Sequence, residues 1–385
     1  MALTVNPQAL AAAATPGGYA WWYLDAVVED QQSGQGYALT IILFAGAVFS
    51  PTYAARSRAG APDRGVDHPA VNVALSRLDP GPADHSRRRG KQIAWAMNEH
   101  PAAALTCTAD SVRIGASELR YLPGADASGA AASIVLEEEQ TRFGPQAGPV
   151  LRGALRLFPE LPALPPQEIG RSPDGREVHH WQPVAARARV EGTLTLDGQT
   201  LHLRGSGYHD SNFGGGRLER TFARWAWAHA TAPTAAAVPD ELILYRTTLL
   251  DGSGRSLALR LSPTGSQCQN QPTSPESPSL DEPPRAATAH PGRFLWLSAP
   301  AAFSAHGYRC ARRPHSRLVD APFYARFEVT ISPPGSDPAQ GGYPGIGEYL
   351  DLTRFRSRVV QFLLGYKTRR LTAARVLPPG QGETP

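Results

Sequence analysis

The chain is short of several things. Only two of its 385 residues are lysine, Lys91 and Lys367, which disfavours Schiff-base chemistry. Its three cysteines, Cys107, Cys268 and Cys310, lie far apart with no C-x-x-C spacing, so neither a disulfide framework nor a cysteine zinc site is expected. Charged residues make up 19%, and the net charge of +4 is spread thinly, giving no electrostatic case for nucleic acid. The longest apolar stretch, Tyr37 to Phe49, is too short and too interrupted to span a bilayer. The segment Met1 to Gly18 lacks a cationic start and an apolar centre, so no signal peptide is expected. There is no G-x-S-x-G elbow, P-loop or strand–G-x-G-x-x-G–helix unit, and no helical pattern follows Gly214-Gly-Gly216. Nucleotide and nicotinamide cofactors are therefore not expected.

What is present is turn chemistry. With 37 glycines and 36 prolines, the composition resists long helices and favours short strands. Strands are expected at Tyr19–Asp25, Tyr37–Phe49, Gln92–Glu99, Ala104–Thr108, Ser111–Ile114, Ser133–Gln140 and Val150–Phe158. Residues 55 to 92, which hold Arg87-Arg88-Arg89, read as a loop-rich excursion, and Pro159 to Pro173 as a connector. From 184 to 196, Ala188, Val190, Leu194 and Leu196 alternate with polar residues, and Asp197-Gly198 turns the chain into a partner strand at Thr200–Leu203. Further strands are expected at Phe222–Ala230, Glu241–Leu250, Ser256–Leu261, Arg293–Leu297 and Phe323–Ile331, with a Pro/Ser-rich loop over 262–292. The pattern is all-β, of the barrel or sandwich kind, with one helix, Leu350 to Tyr366. Trp21-Trp22-Tyr23 and Trp225-Ala-Trp227 open two halves, placed at 1–204 and 205–385.

The densest chemical cluster is Gly205-Ser-Gly-Tyr-His-Asp-Ser-Asn-Phe-Gly214, whose glycines imply a bend or bulge. In a strand, Tyr208 and Asp210 share a face and His209 points away. A carboxyl group buried among apolar residues has a raised pKa and can act as a general acid near neutral pH. The same residues also suit a structural turn, with Asp210 capping backbone N–H groups and Tyr208 in the core. His179-His180-Trp181 precedes the alternating strand and places His179 and Trp181 on one face. His179, His180 and His209 lack the spacing of a metal site. Trp181 is either a core residue or an electron-rich face for a cation, worth ~0.5–2 kcal/mol.

On the final helix, Leu352, Phe355, Val359, Phe362, Leu363 and Tyr366 recur at helical spacing among Arg354, Arg356, Arg358, Lys367, Arg369 and Arg370. This helix either closes a barrel or rests on anionic lipid.

Several segments together resemble the carotenoid 1,2-hydratases, also called hydroxyneurosporene synthases. They are Gly18-Tyr-Ala-Trp-Trp-Tyr-Leu-Asp25, Phe49-Ser-Pro-Thr-Tyr53, Asn72-Val-Ala-Leu75, Trp95-Ala-Met97, Gly207-Tyr-His-Asp210 with Asn212 and Gly214, Leu218-Glu219, Trp225-Ala-Trp227 and Tyr349-Leu-Asp-Leu-Thr-Arg-Phe355. The resemblance implies two lipocalin-like β-barrels, no redox cofactor, and hydration of the terminal C1–C2 double bond of an acyclic carotenoid such as neurosporene or lycopene. It implies that Asp210 protonates the alkene and then accepts a proton from water. His179 (or His180), Trp181 and Tyr208 would line the same site, His179 positioning the water or holding Tyr208. Ser211, Phe213 and His229 stand where the family pattern has His, Trp and Arg. The expected partners are the carotenoid, water and a membrane surface, for a cytoplasmic protein peripherally attached to the membrane. The rivals are a non-catalytic isoprenoid carrier on the same scaffold, and a glycoside hydrolase, which needs a second carboxylate near Asp210 such as Glu219.

Overall fold

Strand Gly18–Asp30 is buried on both faces, and that dictates the architecture. Ala20, Trp22, Leu24, Ala26 and Val28 pack inside one curled sheet, while Tyr19, Trp21 and Tyr23 point into a second apolar layer. Successive side chains of a strand face opposite ways, so a strand with no polar face must be covered twice. A second sheet supplies the cover.

The computed structural model describes residues 3–78, 91–122, 129–141, 147–234, 238–274, 297, 299–336 and 342–372. Among them, 13 strands form the first sheet and 8 the second. In the first, the strands Lys91–Glu99, Pro69–Arg77, Gly36–Ala45, Gly18–Asp30, Gln199–Gly215, Val178–Leu196, Ala147–Pro159 and Ala132–Thr141 lie side by side in that order. The sheet curls until its two flanks meet through side chains. Asn98 donates to Glu138 Oε2 at 2.7 Å, and the Met97 N–H to Thr141 Oγ1 at 3.0 Å. The second sheet centres on Phe222–Ala232, flanked by Asp240–Leu249 and Tyr343–Asp351. On Phe222–Ala232, Trp225 and Trp227 face the first sheet, while Ala226, Ala228 and Ala230 face the second sheet's own core. The all-β, lipocalin-like reading therefore holds as two curled sheets packed against each other.

Several expected elements differ. The division after residue 204 falls inside Gln199–Gly215, which pairs with Gly18–Asp30 along its length. The change of sheet comes at the short helix Leu218–Thr221, and Arg369–Arg370 returns to pair with Lys91–Glu99. Residues 55–92, expected as a loop, contain the strand Pro69–Arg77, which is buried on both faces. The first part of the expected 262–292 loop is the strand Gly265–Thr273. The remainder, with Arg87-Arg88-Arg89 and the start of the Arg293–Leu297 strand, lies outside the described residues. The final helix begins two residues late because strand Tyr343–Asp351 runs up to it, and it is interrupted at Arg356 and Ser357, giving Leu352–Phe355 and Arg358–Gly365.

Candidate active site

Register brings the site together. Across the ladders Tyr23 lies opposite Asp210, Trp181 opposite Asn212, and His179 opposite Gly214. Pro183 also faces Asp210 and has no N–H for the ladder. The register slips just beyond it, between Pro183 and Ala185 and again before Ala188. The bulge expected in the Gly205–Gly214 segment thus sits in the neighbouring strand, and Gln199–Gly215 itself pairs with Gly18–Asp30 without a shift. Gly214 answers to close approach instead. A Cβ there would stand 2.3 Å from the Val178 carbonyl oxygen and 2.9 Å from the Tyr19 hydroxyl.

Asp210 is 3% exposed and held by three donors. The Tyr208 hydroxyl donates to Oδ2 at 2.6 Å, the Trp181 indole N–H to the same oxygen at 2.9 Å, and Asn212 Nδ2 to Oδ1 at 2.8 Å. The indole N–H also reaches the Tyr208 oxygen at 2.9 Å. Both acceptor positions of Oδ2 are therefore taken, and the proton of a neutral Asp210 belongs on Oδ1. Burial lifts the carboxyl to about 7 against the pull of Tyr208 and Trp181, and the carboxylate of Glu348 adds to the rise.

A second chain of bonds orients Asn212. Tyr19 donates its hydroxyl proton to His179 Nδ1 at 2.8 Å, and His179 Nε2 faces Asn212 Oδ1 at 3.3 Å. Burial depresses His179 to about 3, so the ring is neutral. A neutral ring that accepts at Nδ1 carries its proton on Nε2 and donates it to the amide oxygen, which turns the amide N–H toward Asp210. The ring nitrogens of His179 thus meet Tyr19 and Asn212, and neither is bonded to Tyr208. His180 is half-buried and stacks on Phe213 with centroids 5.1 Å apart. His209 faces away from the acid, its Nε2 2.8 Å from the Tyr121 hydroxyl and its Nδ1 2.8 Å from the Tyr23 carbonyl oxygen.

Asp210 and Asn212 open onto a cavity between the two sheets, with an empty volume of about 980 Å³ that includes its opening to solvent. The first sheet contributes Trp21, Tyr23, Phe44 and Trp95 to its wall, the second Trp225, Trp227, Tyr245 and Glu348, and the final helix Leu364. Trp181 and Tyr208 are fully buried behind Asp210 and do not line this cavity. Glu219 is elsewhere, 3.9 Å from both Arg58 and Arg217. The second carboxyl group in the cavity is Glu348, in a strand the sequence reading missed. Its neighbours Gly345 and Gly347 obscure the strand pattern but are required for packing: a Cβ on Gly345 would lie 1.9 Å from the His229 carbonyl oxygen.

Charge is concentrated behind this wall. Buried Asp25 pairs with buried Arg326, and the Tyr23 hydroxyl oxygen lies 3.0 Å from Asp25 Oδ2. His229 Nδ1 lies 2.6 Å from Glu241 and its Nε2 3.6 Å from Asp25. Burial opposes charge on that ring, but the two carboxylates lift it to about 9, so His229 is a cation as an arginine would be. Among the described residues, no group of three or more His, Cys, Asp or Glu is arranged to hold a metal ion.

The site is thus a carboxyl group raised toward neutrality at the wall of an aromatic cavity, in an all-β scaffold of the lipocalin kind. The chain belongs to the carotenoid hydratase CrtC family, whose pattern matches residues 41–376. An acyclic carotenoid 1,2-hydratase of Thiocapsa roseopersicina is 33% identical over 361 residues, 93% of this chain and 74% of that protein. Another, of Rubrivivax gelatinosus, is 32% identical over 254 residues, 63% of this chain and 54% of that protein. The fold resembles the crystal structure of a putative AttH from Nitrosomonas europaea, with a TM-score of 0.51 and 13% identity over 87% of this chain and 92% of that one. As a carotenoid hydratase, the protein is a hydro-lyase.

Proposed function

We propose that the protein adds water to the terminal C1–C2 double bond of an acyclic carotenoid such as neurosporene or lycopene. The observation that carries this reading is Asp210, a carboxylic acid raised to about 7 by burial and opening onto an aromatic cavity. The Oδ1–H bond breaks as a C2–H bond forms from the π electrons, leaving a tertiary cation at C1. Trp21, Trp225 and Trp227 line the space that this cation would occupy, and a desolvated aromatic face stabilises a cation by about 2 kcal/mol. The new Asp210 carboxylate is met by three donors already in place, so little reorganisation accompanies the charge transfer. The oxygen of a water then bonds to C1 while one of its O–H bonds breaks, its proton passing to a carboxylate at the cavity wall, which completes the tertiary alcohol. No electrons leave the substrate.

The substrate class also bears on location. No described helix is long and apolar enough to cross a membrane. Helix Arg358–Gly365 puts Leu364 into the cavity wall and leaves Val359, Phe362 and Tyr366 exposed on its other side. We place that apolar face against a lipid surface, from which a polyene would enter. The basic residues contribute less than the sequence reading expected. Lys367 turns inward to the Asp320 carbonyl oxygen at 2.8 Å, Arg356 donates to the Glu219 carbonyl oxygen, and Arg369 pairs with Glu139.

The test is incubation of the purified protein with lycopene in detergent, under nitrogen and without added cofactor, followed by mass spectrometry. A gain of about 18 Da, the mass of one water, is expected. Unchanged lycopene that is nevertheless bound would favour the isoprenoid carrier instead.

A further inference from the structure

Asp210 has a counterpart on the opposite wall. Glu348 belongs to the second sheet, lines the same cavity, and has a side chain only 13% exposed. Its Oε1 accepts two tyrosine hydroxyls, from Tyr23 at 2.7 Å and Tyr324 at 2.8 Å, with Arg326 Nε 3.8 Å away. Tyr23 is also the residue opposite Asp210 in the ladder, so one tyrosine stands beside the acid and reaches across to Glu348. The two carboxyl groups are electrically coupled, since charge on Glu348 discourages charge on Asp210. Among the described residues both tyrosine donors to Glu348 meet Oε1, which leaves Oε2 for a water in the cavity that Glu348 lines.

We infer that Glu348 binds the nucleophilic water through Oε2 and takes its proton as the C1–O bond forms. The inference rests on the hydration reading above and concerns its second half. Asp210 gives one proton to C2, the water oxygen bonds to C1, and the water's surplus proton passes to Glu348. The net result is one alkene and one water converted to one alcohol, with a proton moved from Asp210 to Glu348. A cavity water returns that proton to Asp210 after the product leaves. Two carboxyl groups facing one cavity with one proton between them fit this division, because mutual repulsion keeps one neutral while the other is charged. Burial raises Glu348 too, and Asp25 adds to the rise, but Arg326, Tyr23 and Tyr324 all favour its anion, and Arg326 gives it a cationic neighbour that Asp210 lacks.

Deuterium labelling separates the two halves. In D₂O, Asp210 delivers deuterium to C2, and a cation that is not trapped by water loses a proton from C2 or a neighbouring methyl group to regenerate labelled alkene. With Glu348→Gln, hydration is expected to fall by about 100-fold or more while recovered carotenoid still gains deuterium. Asp210→Asn is expected to lose both signals. Glu348→Asp, which keeps a carboxylate on a shorter arm, is expected to regain about tenfold over Glu348→Gln. Bound-polyene absorbance reports whether each variant is folded. Hydration by Glu348→Gln within about threefold of wild type contradicts the inference, as does equal loss of hydration and exchange, or no recovery by Glu348→Asp. A wild-type protein that neither hydrates nor exchanges overturns the parent reading, and this inference with it.

Discussion

The indole N–H of Trp181 points at Asp210 Oδ2 from 2.9 Å, and the ring itself is fully buried. The tryptophan therefore faces the acid and not the cavity. In the proposed reaction it would hold the carboxylate once the proton has left, together with Tyr208. The aromatic faces available to a carbocation are those of Trp21, Trp225 and Trp227, contributed by both sheets.

Trp181→Phe tests this assignment. The substitution removes a donor that lowers the acid's pKa, so Asp210 stays protonated to higher pH. Hydration requires the protonated form. The rate of the wild-type protein is expected to fall as pH rises through about 7, and the variant's falling limb is expected to lie at higher pH. The maximal rate is expected to drop about tenfold, because the product carboxylate has lost a partner. A pH–rate profile checks both outcomes.

The three histidines should separate cleanly. His179→Ala frees Asn212 to rotate and is expected to cost about tenfold in rate without moving substrate affinity. His180→Ala, on the far face, should remain within about twofold of wild type. His209→Ala strands the Tyr121 hydroxyl and the Tyr23 carbonyl oxygen, and should destabilise the fold by about 1–3 kcal/mol with turnover per folded molecule retained. Steady-state kinetics beside denaturant titration distinguishes the three.

The neutral state of His179 also sets a pH dependence of stability. Its folded value of about 3 lies below the ordinary 6.5, so the unfolded chain takes up a proton first as pH falls. Stability is lost progressively between about 6.5 and about 3. Asp210 acts in the opposite sense, its raised value favouring the folded state below about 4 and less so up to about 7. Replacing His179 with Gln should flatten the acid side of the stability curve, read as the urea midpoint at successive pH values.

Lipid contact is tested on the exposed helix face. Phe362 is 64% exposed and packs against Tyr366 with ring centroids 5.1 Å apart. Phe362→Ser is expected to weaken co-sedimentation with phosphatidylglycerol vesicles at least about fivefold while leaving turnover of detergent-dispersed substrate unchanged.

Much of this site was legible before the fold. Tyr208 and Asp210 share a face, His209 opposes them, and His179 with Trp181 approaches from the neighbouring strand, as period-2 spacing requires. The Asp197-Gly198 turn is present, with both residues at positive φ. What spacing does not reveal is which partner a buried polar atom finds. The link from Tyr19 through His179 to Asn212 joins residues 160 apart in the chain. Glu348 escaped notice because its strand, broken up by Pro344, Gly345 and Gly347, shows no apolar alternation. Pro69–Arg77 lies within the stretch that reads as a loop, although Val71, Val73 and Leu75 alternate there with Asn72, Ala74 and Ser76.

The most direct measurement compares wild type with Asp210→Asn on one acyclic carotenoid, scored by mass for the added water. The variant keeps the shape of the side chain and loses the transferable proton. The account expects a loss of about 10³-fold or more, with polyene binding and thermal unfolding near those of wild type. Turnover by Asp210→Asn within tenfold of wild type would contradict it.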